Sequence, residues 1–283
     1  MPKNKRQEVY SEAFPPNSMG RRKILLSLSN THNILKDITI NPEEIIYKPI
    51  SSLYIAEVKK LHKEWFPVEY DDDYFQKIFE NKHGIYFSIG AFYNYNKREI
   101  ILGLALCEYR PICEYFIKHT SSEAIDEICK NINIQEEVIS YLRCEDYNCA
   151  YIMTIGVLDE CRKLGIGTNL VKYILNEALN DRLCVGCYLD VIYYNNSAIK
   201  FYEKNGFKKI STIKNYYDLK GDHYDCEVYL KVFTRKEKDD FRKKNFSCFQ
   251  KILNKLLFPF ILFVKVIIFF LFFQCFRGKI KKE

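Results

Sequence analysis

At residues 149–167 the chain reads CAYIMTIGVLDECRKLGIG. The run from Tyr151 to Val157 is apolar and rich in β-branched residues, which is typical of a buried strand. Gly165 and Gly167 then precede a segment with helical spacing, so the pattern predicts a strand, a glycine turn and a helix. A turn without side chains, beside the free N–H groups of a new helix, favours an anion such as phosphate. The helically spaced apolar residues are Leu170, Val171, Ile174, Leu175 and Ala178.

Two motifs indicate the kind of fold. The turn at 162–167, RKLGIG, is not a dinucleotide fingerprint, because Leu170 stands where that motif needs glycine, and no Gly-Lys-Ser/Thr follows for a P-loop. It resembles the Arg/Gln-x-x-Gly-x-Gly/Ala signature of the GNAT superfamily (GCN5-related N-acetyltransferases), whose turn binds the pyrophosphate of coenzyme A. NNSAIKFYEKNGF at 195–207 resembles the second half of that fold. A generic α/β domain with a glycine turn remains the alternative.

The resemblance implies acetyl-CoA as co-substrate and no metal. In this fold, two central strands separate beside the pyrophosphate turn, so backbone groups of Met153 to Ile155 are expected to pair with the pantetheine arm like an added strand. An Asn and a Tyr of the second motif are expected to meet the cofactor. The implied cofactor-binding set is Met153, Thr154, Ile155, Arg162, Lys163, Leu164, Gly165, Ile166, Gly167, Asn195 and Tyr202.

The order of the sequence patterns predicts an α/β fold. One GNAT domain is expected over 45–234, with a central mixed twisted sheet of about seven strands, splayed at the middle, and flanking helices. A basic tail without periodicity is predicted at 1–44. A helical insertion is predicted at 110–148, either as a lid or as a surface excursion. Predicted strands lie at 45–50, 85–93, 100–108, 185–192, 207–213 and 227–233, and predicted helices at 51–61, 74–81 and 197–205.

Composition limits the classes of protein that remain. The chain has 283 residues, 48% of them hydrophobic, so it can bury a core. Its eleven cysteines are scattered over a long chain, which indicates reduced thiols rather than a disulfide scaffold. Cys184 and Cys187 have metal-like spacing, but no second pair completes a zinc site. The net charge of +7 arises near both ends of the chain, so we expect lipid headgroups rather than nucleic acid as its partner.

The resemblance assigns the chemistry to Tyr151 and Asp190. Tyr151 matches a catalytic tyrosine, although a packed aromatic is the plainer interpretation of the residue alone. Asp190 stands where the family holds a histidine that helps to remove the amine proton. An aspartate with a pKa of about 3.9 is a weaker base than a histidine near 6.5. Either Asp190 accepts the proton through water, or it is only a solvated strand residue and water and Tyr151 act alone.

The segment WFPVEY at 65–70 resembles the substrate-facing loop of one branch of the superfamily, that of the Golgi-associated N-alpha-acetyltransferase F. On the residues alone, aromatics around a proline are more often loop anchors. The resemblance implies that Glu69, Tyr70 and Met153 border the peptide and that Tyr216 and Tyr217 cover it.

The C-terminal region, 235–283, reads as a basic linker and a membrane anchor. Residues 256–276 are almost wholly apolar, a length that can cross a bilayer. Because basic residues flank both sides, the sequence leaves open whether the segment spans the membrane, re-enters it or lies on it. The expected location is a membrane, with the catalytic domain in the cytosol, and by resemblance the Golgi or another secretory-pathway membrane.

The expected function is direct transfer of acetyl from acetyl-CoA, within a ternary complex, to N-terminal α-amines of cytosol-facing membrane proteins, with Met-starting peptides as the expected substrates by resemblance. A lysine or small-amine acetyltransferase is the first alternative, and a catalytically weak acetyl-CoA-binding membrane adaptor is the second. The expected oligomeric state is a monomer or a weak dimer.

Overall fold

The computed structural model describes residue 35 and residues 38–96, 98–111, 147–219 and 221–244. The chain divides into two units, Met1–Val232 and Phe233–Glu283. The first unit contains the sheet and its helices, and the second begins with a helix over 235–244. The apolar segment 256–276 and most of the predicted tail and insertion lie outside the described residues.

A seven-stranded mixed sheet forms the centre of the first unit. Its spatial order is β1-β2-β3-β4-β5-β7-β6, and every neighbouring pair is antiparallel except β4 and β5, which run parallel. The strands are β1 (Ile46–Lys48), β2 (Tyr86–Tyr95), β3 (Arg98–Pro111), β4 (Asn148–Val157), β5 (Cys184–Ile192), β6 (Lys208–Leu219) and β7 (Asp222–Val232). The predicted fold class, with its sheet and flanking helices, is confirmed.

Two helices precede the second strand. A 3-10 turn capped by the Ser51 side chain leads into α1 (Ile55–Trp65), which buries Val58 and Leu61 against the sheet. The Asp71 carboxylate accepts the Tyr74 N–H and caps α2 (Asp72–Glu80), which buries Phe75 and Ile78. The loop between these helices carries the WFPVEY segment, so the packing of the two helices on the sheet holds this loop in place.

The other two helices follow β4 and β5. Helix α3 (Ile166–Asn180) packs its apolar stripe, including Leu170 and Ile174, in the core as its spacing predicted. Helix α4 (Asn196–Lys204) is capped by the preceding residue, Asn195, whose side chain accepts the Ala198 N–H. After α4, Gly206 adopts φ of 87°, a conformation that suits glycine and ends the helix.

The parallel strands β4 and β5 separate halfway along their length. Their pairing ends at Ile152 and Leu189, although β4 continues to Val157 and β5 to Ile192. On its other side β4 contains a bulge: Ile152 pairs with Cys107 and Thr154 with Leu106, which leaves Met153 as the extra residue. One edge of β4 after the bulge therefore faces the gap between the two strands, as the predicted splay requires.

Packing extends beyond the predicted domain start. Leu35 is only 5% exposed, and Ile38 and Ile40 pack against the core, because each offers apolar surface that the sheet and helices can bury. The packed domain therefore begins before residue 45, whereas the sequence analysis placed its start at residue 45. At the predicted insertion, Arg110 and Pro111 pair with Cys149 and Asn148, so both ends of 110–148 are strand. Within the described part of the chain, no helix is long and apolar enough to cross a membrane.

Candidate active site

The structure brings together the two predicted catalytic residues. The Tyr151 hydroxyl on β4 donates to Asp190 Oδ2 on β5 over 3.1 Å. The Tyr216 hydroxyl on β6 donates to the same oxygen over 3.2 Å. The Tyr151 and Tyr188 rings stack at a centroid distance of 4.8 Å. Asp190 lies one residue beyond the last β4–β5 pair, so this cluster stands where the two strands separate.

The hydroxyls of this cluster are poor acids. Burial raises the pKa of Tyr151 well above its usual value of 10.0, and the negative charge of Asp190 raises it further. Burial and Asp190 also raise the pKa of Tyr216, and burial is the main cause of the raised pKa of Tyr217. At neutral pH the three tyrosines are therefore protonated donors, and the Asp190 carboxylate is the acceptor.

A buried ion pair that the sequence analysis missed lies beside Tyr151. On β3, Glu108 pairs with Tyr151 across the strands, and its carboxylate lies 2.6 Å from the Arg110 guanidinium. The guanidinium stands over the Tyr151 ring, 4.0 Å from its centroid. The detectable signal was a pair of opposite charges two residues apart in an otherwise apolar strand, since such spacing places both on one face.

The loop after α1 lies against β4. Trp65 packs on Gly156 so closely that a Cβ at residue 156 would lie 2.1 Å from the indole Cε3. The Tyr70 and Tyr74 ring centroids lie 4.6 Å apart, so the two rings pack together. Glu69 is exposed and has no hydrogen bond or ion pair to a described residue, so the structure does not bring it into the cluster. The Trp65 Nε1 and Tyr74 hydroxyl are buried without a described partner, which leaves two donors on this side of the site.

His62 is a second residue that the sequence analysis missed. It is 1% exposed and joins α1 to β4 through two hydrogen bonds. Its Nδ1 lies 2.8 Å from the Val58 carbonyl oxygen, which can only accept, so Nδ1 carries the proton. Its Nε2 must then accept the Thr154 hydroxyl proton over 2.9 Å. Burial lowers the pKa of His62 to about 4, so the imidazole is neutral and holds Thr154, next to the Met153 bulge.

The predicted anion turn has the expected backbone. Gly165 adopts φ of 79° and precedes α3, and no side chain at this N-cap position bonds the first N–H groups of the helix. Lys163 also has positive φ, at 68°. Arg162 pairs with Asp159 at 2.6 Å on the surface. Of the other predicted residues of the turn, Ile166 is buried, Leu164 packs against the core and Gly167 lies under the Phe201 ring.

The remaining predicted cofactor residues have structural partners. The Asn195 side chain caps α4, and Tyr202 is buried beside Phe207, with ring centroids 6.0 Å apart. Met153 and Ile155 are partly buried against the core, whereas Thr154 bonds His62. These positions do not test the contacts with a cofactor, which stay predictions.

The cysteines in the described part of the chain are buried thiols without disulfides: Cys107, Cys149, Cys161, Cys184, Cys187 and Cys226. Burial raises the pKa of Cys107 and Cys187, so both are weak nucleophiles. Across the described residues, no group of three His, Cys, Asp or Glu side chains could hold a metal ion.

Comparison with known proteins identifies the class of this fold. A model of the Acetyltransferase (GNAT) family matches residues 55–207, more than half of the chain. The chain belongs to this family, and the resemblance predicted from the two motifs is confirmed. A zebrafish (Danio rerio) protein, N-alpha-acetyltransferase 60, is 31% identical over 179 residues, which cover 62% of this chain and 64% of the relative. The match thus spans less than two thirds of that relative's length.

Two further similarities come from Arabidopsis thaliana. "Histone acetyltransferase MCC1" is 24% identical over 196 residues, covering 66% of this chain and 69% of the relative. The crystal structure of NAA60 in complex with a bisubstrate analogue superposes with a TM-score of 0.54 at 23% identity, covering 66% of this chain and 97% of that chain. The structural likeness shows that the fold is shared.

Proposed function

We propose that this chain transfers the acetyl group of acetyl-CoA to the α-amino group of protein N-termini. One observation carries the proposal: the Tyr151 and Tyr216 hydroxyls meet on Asp190 where β4 and β5 separate. The separation leaves one β4 edge for the pantetheine arm, and the turn at Gly165 offers backbone N–H groups to the pyrophosphate. Family membership and the similarity to N-alpha-acetyltransferase 60 support the same reaction.

The residues divide the work of a direct transfer. The amine nitrogen attacks the thioester carbonyl, the new C–N bond forms, and the C–S bond breaks to release coenzyme A. The Asp190 carboxylate takes the proton that the amine loses as the C–N bond forms, directly or through one water, and passes it to solvent. Tyr151 is protonated at neutral pH, so it is not the base: its one hydroxyl proton is donated to Asp190 and orients the carboxylate, and the coenzyme A thiolate takes its proton from solvent.

An aspartate in this position favours α-amines over lysine side chains. An α-amine titrates near 8 and a lysine amine near 10.4, so obtaining the neutral lysine at pH 7 costs about 3 kcal/mol more. A carboxylate is a weaker base than the histidine that the family holds at this position. The site therefore suits the amine that loses its proton more readily.

The peptide is proposed to lie between two groups of aromatic residues. Tyr70 and Tyr74 come from the loop and α2, and Tyr216 and Tyr217 from β6. These rings offer apolar faces to an extended peptide, the Tyr74 hydroxyl is a donor without a described partner, and Met153 at the bulge adds an apolar contact. Met-starting N-termini of membrane proteins are the proposed substrates, an assignment that rests on the resemblance of the 65–70 segment.

The experiment measures acetyl transfer by the full chain in detergent micelles. One peptide starts with free Met-Leu, and its matched partner has a blocked N-terminus and one internal lysine. Turnover is expected on the free N-terminus, and Tyr151→Phe and Asp190→Asn are each expected to lower kcat at least about tenfold. Tyr173→Phe is the control, because this exposed tyrosine of α3 stacks on Tyr47 of β1 and lies outside the cluster.

Two outcomes would contradict the proposal. Turnover on the lysine peptide alone would make the chain a lysine acetyltransferase. Binding of acetyl-CoA without turnover on either peptide would make it a cofactor-binding adaptor.

We also propose that residues 256–276 attach the chain to a membrane with the acetyltransferase domain in the cytosol, on a Golgi or other secretory-pathway membrane. The support is composition: the segment is almost wholly apolar and basic residues flank it on both sides. On this proposal the enzyme works on N-termini that are exposed near the same membrane surface.

A further inference from the structure

The hairpin of β6 and β7 is irregular beside the acceptor site. Ile213 pairs with Cys226 and Tyr217 pairs with Tyr224, so residues 214–216 all face Asp225. Asn215, the middle residue of the three, has φ of 51°. Left-handed φ is uncommon for residues other than glycine, although asparagine tolerates it, and a bulge of this kind redirects the side chains that follow.

Asp225 makes the contacts that hold the bulge. Its Oδ1 accepts the Asn215 N–H over 3.1 Å, and its Oδ2 lies 2.6 Å from Lys214 Nζ. Its backbone carbonyl accepts the N–H of Tyr193 over 3.1 Å, directly after β5. One residue therefore ties the bulge of β6 to the end of the strand that carries Asp190.

The bulge determines where the tyrosines point. In a regular strand, neighbouring side chains project to opposite faces. Here the consecutive residues Tyr216 and Tyr217 are both half-buried, with their rings 5.0 Å apart and nearly perpendicular. The Tyr216 hydroxyl reaches Asp190, while Tyr217 lies beside Cys226. Without the bulge, one of the two rings would project away from the site.

We propose that Asp225 is a positioning residue for acetyl transfer: its carboxylate holds the 214–216 bulge in the shape that directs the Tyr216 hydroxyl onto Asp190. Asp225 acts through Tyr216 rather than on the substrate. The inference rests on the proposed function, since it assigns Asp225 a part in presenting the acceptor amine to Asp190.

The test compares kinetic constants of full-chain variants. Asp225→Ala removes both contacts and is expected to lower kcat about tenfold, with KM for acetyl-CoA unchanged, because the cofactor turn lies on α3. Asp225→Asn keeps an oxygen for the Asn215 N–H and is expected to stay within about threefold of the wild type. If the Ala variant melts early, Asp225→Thr replaces it, since threonine is favoured in strands.

A double-mutant cycle separates positioning from general stability. Tyr216→Phe is expected to lower kcat by a similar factor, and Asp225→Ala should cause little further loss in that background, because both changes remove one contact to Asp190. Lys209→Met is the matched control: it breaks the 2.6 Å Lys209–Glu227 ion pair of the same two strands, away from the bulge. This control should leave kcat within about twofold of the wild type.

The outcomes distinguish this proposal from the previous one. Two results overturn the role of Asp225 and leave the proposed function standing, provided that the wild type turns over. In the first, kcat of Asp225→Ala equals that of the wild type. In the second, the kcat loss of the double variant equals the product of the two single losses. A wild type that acetylates no amine overturns the proposed function and, with it, this role.

Discussion

Asp190 illustrates how a single residue depends on its neighbours. One of its carboxylate oxygens accepts two tyrosine hydroxyls, at 3.1 and 3.2 Å. These donors fix the orientation of the carboxylate, and the Glu108–Arg110 pair beside Tyr151 adds charge of both signs close to it. Asp190 therefore lies in a donor network that stabilises its anionic form.

His62 gives a prediction at the same scale. Because its pKa is lowered to about 4 by burial, the folded state binds no proton there between pH 6.5 and 4, whereas the unfolded state does. The contribution of neutral His62 to the free energy of unfolding is therefore fully present above pH 6.5 and decreases as the pH drops towards 4. Between pH 7 and 5 the wild type should lose about 2 kcal/mol of unfolding free energy through this residue, and His62→Gln should not.

The measurement is denaturant unfolding of both proteins at pH 7 and pH 5. His83→Gln, which changes an exposed histidine, is the control and should follow the wild type. Equal pH dependence in the wild type and His62→Gln would contradict the buried neutral imidazole and its bond to Thr154.

At the scale of elements, the start of α3 combines a left-handed glycine with open space. Gly165 has φ of 79°, and a Cβ built on it would meet no atom within 4 Å. The space is consistent with a turn that admits a phosphate to the backbone N–H groups. Gly221, in the β6–β7 turn, has φ of 91° and equally open surroundings.

This pair of glycines allows strain and binding to be measured separately. Gly165→Ala and Gly221→Ala should each cost about 1 kcal/mol of stability, because alanine disfavours positive φ. Only Gly165→Ala should also weaken acetyl-CoA binding, by about tenfold, since its methyl group would occupy the anion turn. Calorimetric titration of both variants tests this, and equal affinities would remove Gly165 from the cofactor site.

At the scale of the whole molecule, the C-terminal segment supplies a prediction about location. The full chain should float with phosphatidylcholine vesicles in a density gradient, and a chain ending at Lys244 should not, because 256–276 carries the apolar surface. Flotation should persist at about 0.5 M NaCl, since salt screens headgroup attraction but not hydrophobic burial. Equal flotation of both chains would place membrane binding elsewhere.

The fold class and most element positions could be predicted because local patterns encode them. Tyr151 to Val157 formed the central strand, and Gly165 marked the start of α3. The start of the domain was missed, since Leu35 lies in a segment with little periodicity and is held only by tertiary packing. The Glu69 side chain, assigned to the peptide by resemblance, is exposed and outside the cluster.

The sequence by itself determined the family and the strand–turn–helix around Gly165, and it singled out Tyr151 and Asp190 by resemblance. It could do so because these features depend on neighbouring residues or on motifs. Only the tertiary structure decided that Arg110 lies over Tyr151, that His62 holds Thr154, and that Tyr216 reaches Asp190 through a bulge. These contacts join residues distant in sequence, and their geometry depends on strand register, bulges and burial, which no local pattern encodes.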